Sequence, residues 1–124
     1  MTKIKKTSTN FENKKTLEKD CAEIYAINLI SGQWILCICY HLKKGRLRFS
    51  ALKNSIPNIT ERMLTLQLKK MESSQLIRRE VYAEVPLRVE YELTGLGKGL
   101  LPILSQLEGW GKEHMKATQE DWSI

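Results

Sequence analysis

The chain has 124 residues, of which 42% are hydrophobic, and a formal net charge of +6. That length predicts one domain with one core, and no apolar run approaches the roughly 20 residues of a membrane-spanning helix. The lysine-rich N-terminus lacks the apolar segment of a signal peptide, and three irregularly spaced cysteines favour a reducing cytoplasm over a disulfide framework. We therefore expect a cytoplasmic protein with a basic arm over residues 1–20, a folded domain over residues 21–118 and a tail over residues 119–124.

The first half of the chain carries three helix signals. The first covers residues 20–30, with Asp20 in the N-cap position. The second, WILCICYHL at residues 34–42, is apolar on nearly every side and is followed by Gly45 in the C′ position, which predicts a central core helix. A short third helix begins near Ser50.

The next helix has two unlike faces. Thr60 is placed to cap it, and Glu61 is favourable in its first turn. At 100° per residue, Leu64, Leu68 and Met71 cluster within about 60°, which predicts that they face the core. The opposite, basic side consists of Arg62, Leu66, Lys69 and Ser73, flanked by Met63, Thr65 and Lys70.

Two strand signals follow this helix at once. Residues 76–82 alternate loosely and residues 88–93 cleanly between apolar and charged side chains. Arg78 is expected to pair with either glutamate of the second strand. Arg88, at the turn between the strands, is interpreted as unpaired and therefore available to DNA.

The positive charge is concentrated around these elements. Residues 41–80 hold ten Lys/Arg against three Glu, a net +7, so the rest of the chain sums to −1. Phosphate is the natural counter-charge, and a basic helix followed by a hairpin is the order of a winged helix-turn-helix. The alternatives are a solvated basic face, or a winged-helix protein-interaction module that does not read bases. We assign DNA contact to Arg48, Ser50, Lys53, Thr60, Glu61, Arg62, Thr65, Leu66, Lys69, Lys70 and Arg88.

The last predicted helix is too apolar for a small domain to cover. Thr94 can cap it, and apolar residues recur at three-to-four spacing from Leu96 to Met115, with Pro102 expected to bend the helix. A second copy of the chain would cover this stripe; the alternative is a helix folded back on its own core. The residues of this stripe assigned to the dimer are Leu100, Ile103, Leu107 and Trp110.

Cys21 lies at the predicted start of the first helix, where the helix N-terminus and Lys19 would stabilise its thiolate. Cys37 and Cys39 are predicted to be small core residues. Two histidines and no zinc-ligand spacing argue against a metal, and no catalytic motif or cofactor loop is present, so we expect neither an enzyme nor a cofactor. A small-molecule or redox effector stays open.

The chain resembles the HxlR-type, MarR-related winged-helix transcriptional regulators of bacteria through several sequence motifs that occur in the same order. They are a cysteine at 21 with GQW at 32–34, RFSAL at 48–52, MLTLQL at 63–68 and EVPLRVEYELT at 84–94. The resemblance implies a winged helix-turn-helix that is mainly α with a small β-wing, binds double-stranded DNA and dimerises through its N- and C-terminal helices. It thereby assigns Ile24 and Ile27 of the first helix to the dimer as well. It also implies thiol chemistry at Cys21, since some members sense oxidants or electrophiles there. Cys21 is therefore the candidate redox-sensing residue; the alternative is a cysteine packed at the dimer seam. Leu66 stands where the family usually has Gln, so we expect a base preference of its own.

Overall fold

The computed structural model describes residues 19–119, and these residues form five helices and three short strands. They belong to two compact units, one ending at Gly32 and the other beginning at Gln33. The arm predicted for residues 1–20 and the tail predicted for residues 119–124 lie almost entirely outside the described part of the chain.

The first unit contains helix α1, Ala22–Ile30. The carbonyl of Cys21 accepts hydrogen bonds from the amides of Ile24 and Tyr25, both at 3.2 Å, so Cys21 occupies the N-cap position. The prediction that Asp20 caps this helix is therefore wrong. No residue of α1 is buried, and Ile27 is 62% exposed.

The second unit contains four helices and one antiparallel sheet. Its helices are α2 Gln33–Leu42, α3 Phe49–Ser55, α4 Glu61–Ser73 and α5 Gly95–Thr118, and its strands are β1 Leu47–Arg48, β2 Ile77–Tyr82 and β3 Arg88–Leu93. The sheet order is β1-β3-β2. The mainly helical architecture with a small β-wing is confirmed. Strand β1 was not predicted, because two residues are too few to show an alternating pattern.

The core of the second unit is built around α2 and α4. Ile35, Ile38, Cys39 and Leu42 of α2 are buried, as predicted for a central helix, although Tyr40 is 60% exposed. The other buried apolar residues are Leu52 of α3, Ile56 and Ile59 between α3 and α4, three residues of α4, Leu76 just before β2, and the sheet residues Ile77, Tyr91 and Leu93. No single helix within residues 19–119 is long and apolar enough to cross a membrane. Only α1 and α2 taken together have that length and apolar composition.

The start of α5 is fixed against the sheet. Thr94 Oγ1 accepts a hydrogen bond from Gly97 N at 3.1 Å and donates one to the carbonyl of Gln75 at 2.6 Å, so the predicted capping role of Thr94 is confirmed. A Cβ on Gly97 would lie 2.2 Å from the carbonyl oxygen of Leu76. Only glycine fits this contact without a shift of the backbone.

Candidate nucleic-acid interface

Helix α4 presents the outer face that its periodicity predicts. Thr60 Oγ1 accepts a hydrogen bond from Met63 N at 3.0 Å, which fixes the first turn. Leu64, Leu68 and Met71 are at most 1% exposed, so the opposite side is turned to solvent. We call this side the outer face of α4; its exposed members are Arg62, Thr65, Leu66, Lys69, Lys70 and Ser73.

The segment before α4 supplies further polar groups. Arg48 and Ser50 are exposed at the start of α3, and Lys53 is half-buried in its last turn. A turn with Asn58 at a φ of +68° leads from α3 to α4, and asparagine tolerates this left-handed conformation better than most residues. Helix α3, this turn and α4 together form the helix-turn-helix.

The wing, which we define as β2, β3 and residues 83–87, has two unlike faces. Side chains alternate between the faces of a strand, and the observed register fixes which residues share a face. The apolar face contains Ile77, Arg79 and Val81 opposite Leu93, Tyr91 and Val89. The ion-pair face contains Arg78, Glu80 and Tyr82 opposite Glu92, Glu90 and Arg88.

Most arginines around the wing are held by the glutamates of the ion-pair face. Glu92 Oε2 lies 2.9 Å from Arg46 Nη2 and 3.2 Å from Arg78 Nε, which confirms the predicted pairing of Arg78. Glu90 lies 3.6 Å from Arg46 and 4.0 Å from Arg48. Arg46 also donates a hydrogen bond to the hydroxyl of Tyr82. These contacts fix the wing to the loop after α2 and reduce the charge that the arginines offer to DNA.

Arg88 is also paired, so the interpretation that it is unpaired is wrong. Its guanidinium lies 2.8 Å from Glu84 Oε2 and 3.0 Å from Glu90 Oε2, and it stacks 3.8 Å above the ring of Tyr82. Its side chain is only 26% exposed. The contacts stabilise the turn of the wing. Glu90 lies on the same face of β3 two residues on, but the conformation of the turn that brings Glu84 to Arg88 is not visible in the sequence pattern.

The charge available to phosphate is therefore smaller than the sequence total. Of the ten Lys/Arg in residues 41–80, Arg46, Arg48 and Arg78 pair with wing glutamates that lie beyond that window. Lys43 lies 4.2 Å from the ring centroid of Tyr40. The other seven cations of residues 41–80 have no ion pair to any described residue; they are Lys43, Lys44, Lys53, Arg62, Lys69, Lys70 and Arg79.

Arg79 is the site residue that the sequence analysis did not select. It is exposed and lies opposite Tyr91, on the face of the wing that carries no glutamate. The alternation of Ile77, Arg79 and Val81 is the sequence signal that separates it from Arg78. Because Ile77 is apolar and faces the core, parity places Arg79 on the same side.

The three cysteines have different surroundings. Cys21 is half-buried, and its thiol donates a hydrogen bond to Glu23 Oε1 at 3.4 Å; a backbone hydrogen bond and this thiol hold the pKa of Glu23 below its ordinary value. Cys39 is buried, and burial raises its pKa to about 11. Cys37 is only half-buried, so its assignment to the core is partly wrong; burial raises its pKa as well.

No group of three or more His, Cys, Asp or Glu within residues 19–119 could hold a metal ion. His41 is half-buried, with its ring edge-on to Tyr40 at 5.4 Å.

The apolar stripe of α5 is largely uncovered. Ile103, Leu107 and Trp110 are more than half exposed, whereas Leu100 is half-buried. An open groove of about 380 Å³ lies between α2 and α5, and its apolar lining comes from Leu36, Tyr40, Leu101, Leu104 and Leu107. The exposed side chains of α5 and this groove therefore form an apolar surface that the rest of the second unit does not cover.

Comparisons with known proteins agree with this architecture. A sequence model of the HxlR-like helix-turn-helix family matches residues 29–119. An uncharacterized HTH-type transcriptional regulator of Methanothermobacter thermautotrophicus is 53% identical over 92 residues, which are 74% of this chain and 70% of the relative. The regulator YybR of Bacillus subtilis is 39% identical over 97 residues, 78% of each chain. The reduced form of the redox regulator HypR superposes with a TM-score of 0.70 at 40% identity, over 75% of this chain and 92% of HypR.

Proposed function

This chain belongs to the HxlR-like helix-turn-helix family of transcriptional regulators, and we propose that it binds double-stranded DNA sequence-specifically, as a cytoplasmic homodimer. The observation that carries the proposal is the outer face of α4. Its apolar side is fully buried, and its opposite side offers Arg62, Lys69 and Lys70 without a carboxylate within ion-pair distance in the described chain. A protein-interaction module has no need for such a face.

The outer face of α4 has the chemistry to contact both bases and backbone. Arg62 can donate two hydrogen bonds to a guanine edge, and exposed Leu66 can contact a thymine methyl group. Lys69, Lys70 and Thr65 are donors suited to phosphate oxygens. In this arrangement α4 enters the major groove, and Ser50 and Lys53 of the preceding helix contact the flanking backbone.

The dimer is supported by the uncovered stripe of α5. Trp110 is 63% exposed and stacks on His114 at 5.1 Å, and soluble proteins rarely leave a large apolar patch of this kind exposed. A second copy would cover Ile103, Leu107 and Trp110, and Ile24 and Ile27 of α1 would join that interface. Two copies would place two α4 helices at half-sites about 34–36 Å apart.

Titration of a fluorescent duplex from upstream of the chain's own gene tests the DNA-binding part. With about 6–10 phosphate contacts per dimer, the affinity should fall by about 10³–10⁵ between 50 and 200 mM salt. The Lys70→Ala variant should weaken binding to every duplex alike, because a phosphate contact carries no sequence information. A nearly flat salt dependence, or no binding to any duplex, would refute the proposal.

A thiol response at Cys21 is the second element of the proposal. The related HypR has been solved in reduced and oxidized forms, and Cys21 is half-buried whereas Cys39 is buried. The thiol of Cys21 is engaged as a donor to the Glu23 carboxylate, so Glu23→Gln should speed alkylation of Cys21. Mass-spectrometric labelling under native conditions should show Cys21 reacting faster than Cys37 and Cys39.

Diamide, which oxidises thiols to disulfides, links that reactivity to DNA binding. It should change the affinity of the wild type for DNA and leave the affinity of Cys21→Ser unchanged. A full response in Cys21→Ser would assign Cys21 to packing alone.

A further inference from the structure

A cleft separates α4 from the sheet on the apolar face of the wing. It has a volume of about 340 Å³ and is lined by Thr65, Lys69, Glu72, Arg79 and Tyr91. The first three residues lie on one side of α4 at spacings of four and three, so they form a row along the helix. Arg79 and Tyr91 are direct partners across β2 and β3.

The two cations of this cleft are available to an external anion. Neither Lys69 nor Arg79 has a carboxylate within 4.0 Å in the described chain, and Glu72, which lines the same cleft, pairs with neither of them. Arg78, which precedes Arg79 in β2, faces the opposite side of the sheet. Its Nε lies 3.2 Å from Glu92 Oε2, so its charge is paired. Because side chains alternate between the two faces of β2, Arg79 has no ion pair within the described chain whereas Arg78 has one.

We propose that this cleft binds one phosphate of the DNA backbone, held by Arg79, Lys69 and the hydroxyl of Thr65. A guanidinium, an ammonium and a hydroxyl that line one small space supply the charge-assisted donors that a phosphodiester prefers. The site joins α4 to the base of the wing, so one phosphate would set the position of both elements on the duplex. Glu72 opposes the anion and limits the affinity of the site. The inference rests on the proposed DNA-binding function.

The matched pair Arg79→Ala and Arg78→Ala tests the site. Both variants remove one positive charge from adjacent positions of β2, but only Arg79 lines the cleft. At low salt Arg79→Ala should weaken binding to any duplex by about tenfold or more for each phosphate that is no longer held, and it should lower the salt slope by about 1 for each such phosphate. Arg78→Ala should stay within about threefold of the wild type, because its charge is already paired.

Three further variants sharpen the test. Lys69→Ala, on an exposed helix position, should reproduce the weaker binding even if Arg79→Ala folds poorly, which far-UV circular dichroism reports. The double variant Lys69→Ala/Arg79→Ala should weaken binding by less than the product of the two single effects, because both side chains hold the same phosphate. Glu72→Gln should strengthen binding to every duplex.

The outcomes separate this inference from the proposed function. Wild-type binding with equal effects of Arg79→Ala and Arg78→Ala would overturn the phosphate site and leave DNA binding intact. Independent effects of the two substitutions in the double variant would also overturn it. Saturable binding of inorganic phosphate that depends on Arg79, without a difference between the two variants on DNA, would identify a free-anion site and contradict the proposal. A wild type that binds no duplex would overturn both proposals.

Discussion

Helices α4 and α5 are both amphipathic, but only α4 has its apolar side covered. Leu64, Leu68 and Met71 of α4 are at most 1% exposed, whereas Ile103 and Trp110 of α5 are 55% and 63% exposed. The apolar side of α4 is thus complete within one chain, and its other side is free to contact a ligand. The apolar side of α5 needs a covering surface that the rest of the second unit does not supply.

This difference in burial indicates that the two helices contact different partners. Exposed charge and an isolated leucine on α4 suit a polar, charged groove such as that of DNA. A long uncovered apolar stripe on α5 suits a second apolar helix. In the proposed dimer α5 fixes the distance between two copies of α4, so recognition depends on a helix that contacts no base.

Trp110→Glu should produce the largest change, because it should both dissociate the dimer and weaken DNA binding. A charge buried in the proposed α5 interface would be unpaired, so the dimer should dissociate and sedimentation should report half the mass. The affinity for DNA should then fall by about 10²–10⁴, the avidity of two linked half-sites. Lys112→Gln is the control, because it makes the same change in charge on the far side of α5. An unchanged dimer would contradict the role given to α5.

Leu68→Ala should destabilise the fold, because Leu68 is buried in α4. We expect the free energy of unfolding in urea to fall by about 2–5 kcal/mol. Leu66→Ala removes the same atoms from an exposed position of the same helix and should change it by about 0.5 kcal/mol or less. Similar decreases in both variants would show that the outer face of α4 is covered in solution.

Gly97→Ala tests how firmly α5 is fixed at its start, in contrast to its uncovered later part. The added methyl group would meet the carbonyl of Leu76, so the free energy of unfolding should fall by about 1–3 kcal/mol. Gly99→Ala, with no atom within 4 Å of the added carbon, should instead stabilise α5 by up to about 1 kcal/mol. Thermal unfolding of both variants measures the difference, and a stabilised Gly97→Ala would show that the two segments are not in contact.

Arg62→Ala and Leu66→Gln should leave the fold and the dimer unchanged and should change base preference. Each should alter discrimination at the base pair it contacts by about 1–3 kcal/mol. Competition between selected and scrambled duplexes measures this change, with Lys70→Ala as the control that weakens all duplexes equally. Unchanged selectivity in both variants would mean that another face of α4 meets the DNA.

The two faces of α4 were predictable because helical periodicity is a local property. Leu64, Leu68 and Met71 lie on one side at 100° per residue whatever the rest of the chain does. The capping roles of Thr60 and Thr94 are local for the same reason, and the structure confirms both.

The charge balance of the wing was not predictable in the same way. The contacts of Arg46 with Glu90 and Glu92 span more than forty positions and depend on the packing of the loop after α2 against β3. The contact of Arg88 with Glu84 depends on the conformation of the turn between β2 and β3. A count of charge along the sequence therefore overstated what this region offers to phosphate.

Selection of bound sequences from a random pool of duplexes tests the central claim most directly, because it reports sequence reading and assembly together. We predict enrichment of an inverted repeat whose half-sites are about 10–10.5 base pairs apart, one for each α4 of the dimer. An enriched single half-site would contradict the dimer, and no enrichment at all would contradict sequence-specific binding by α4.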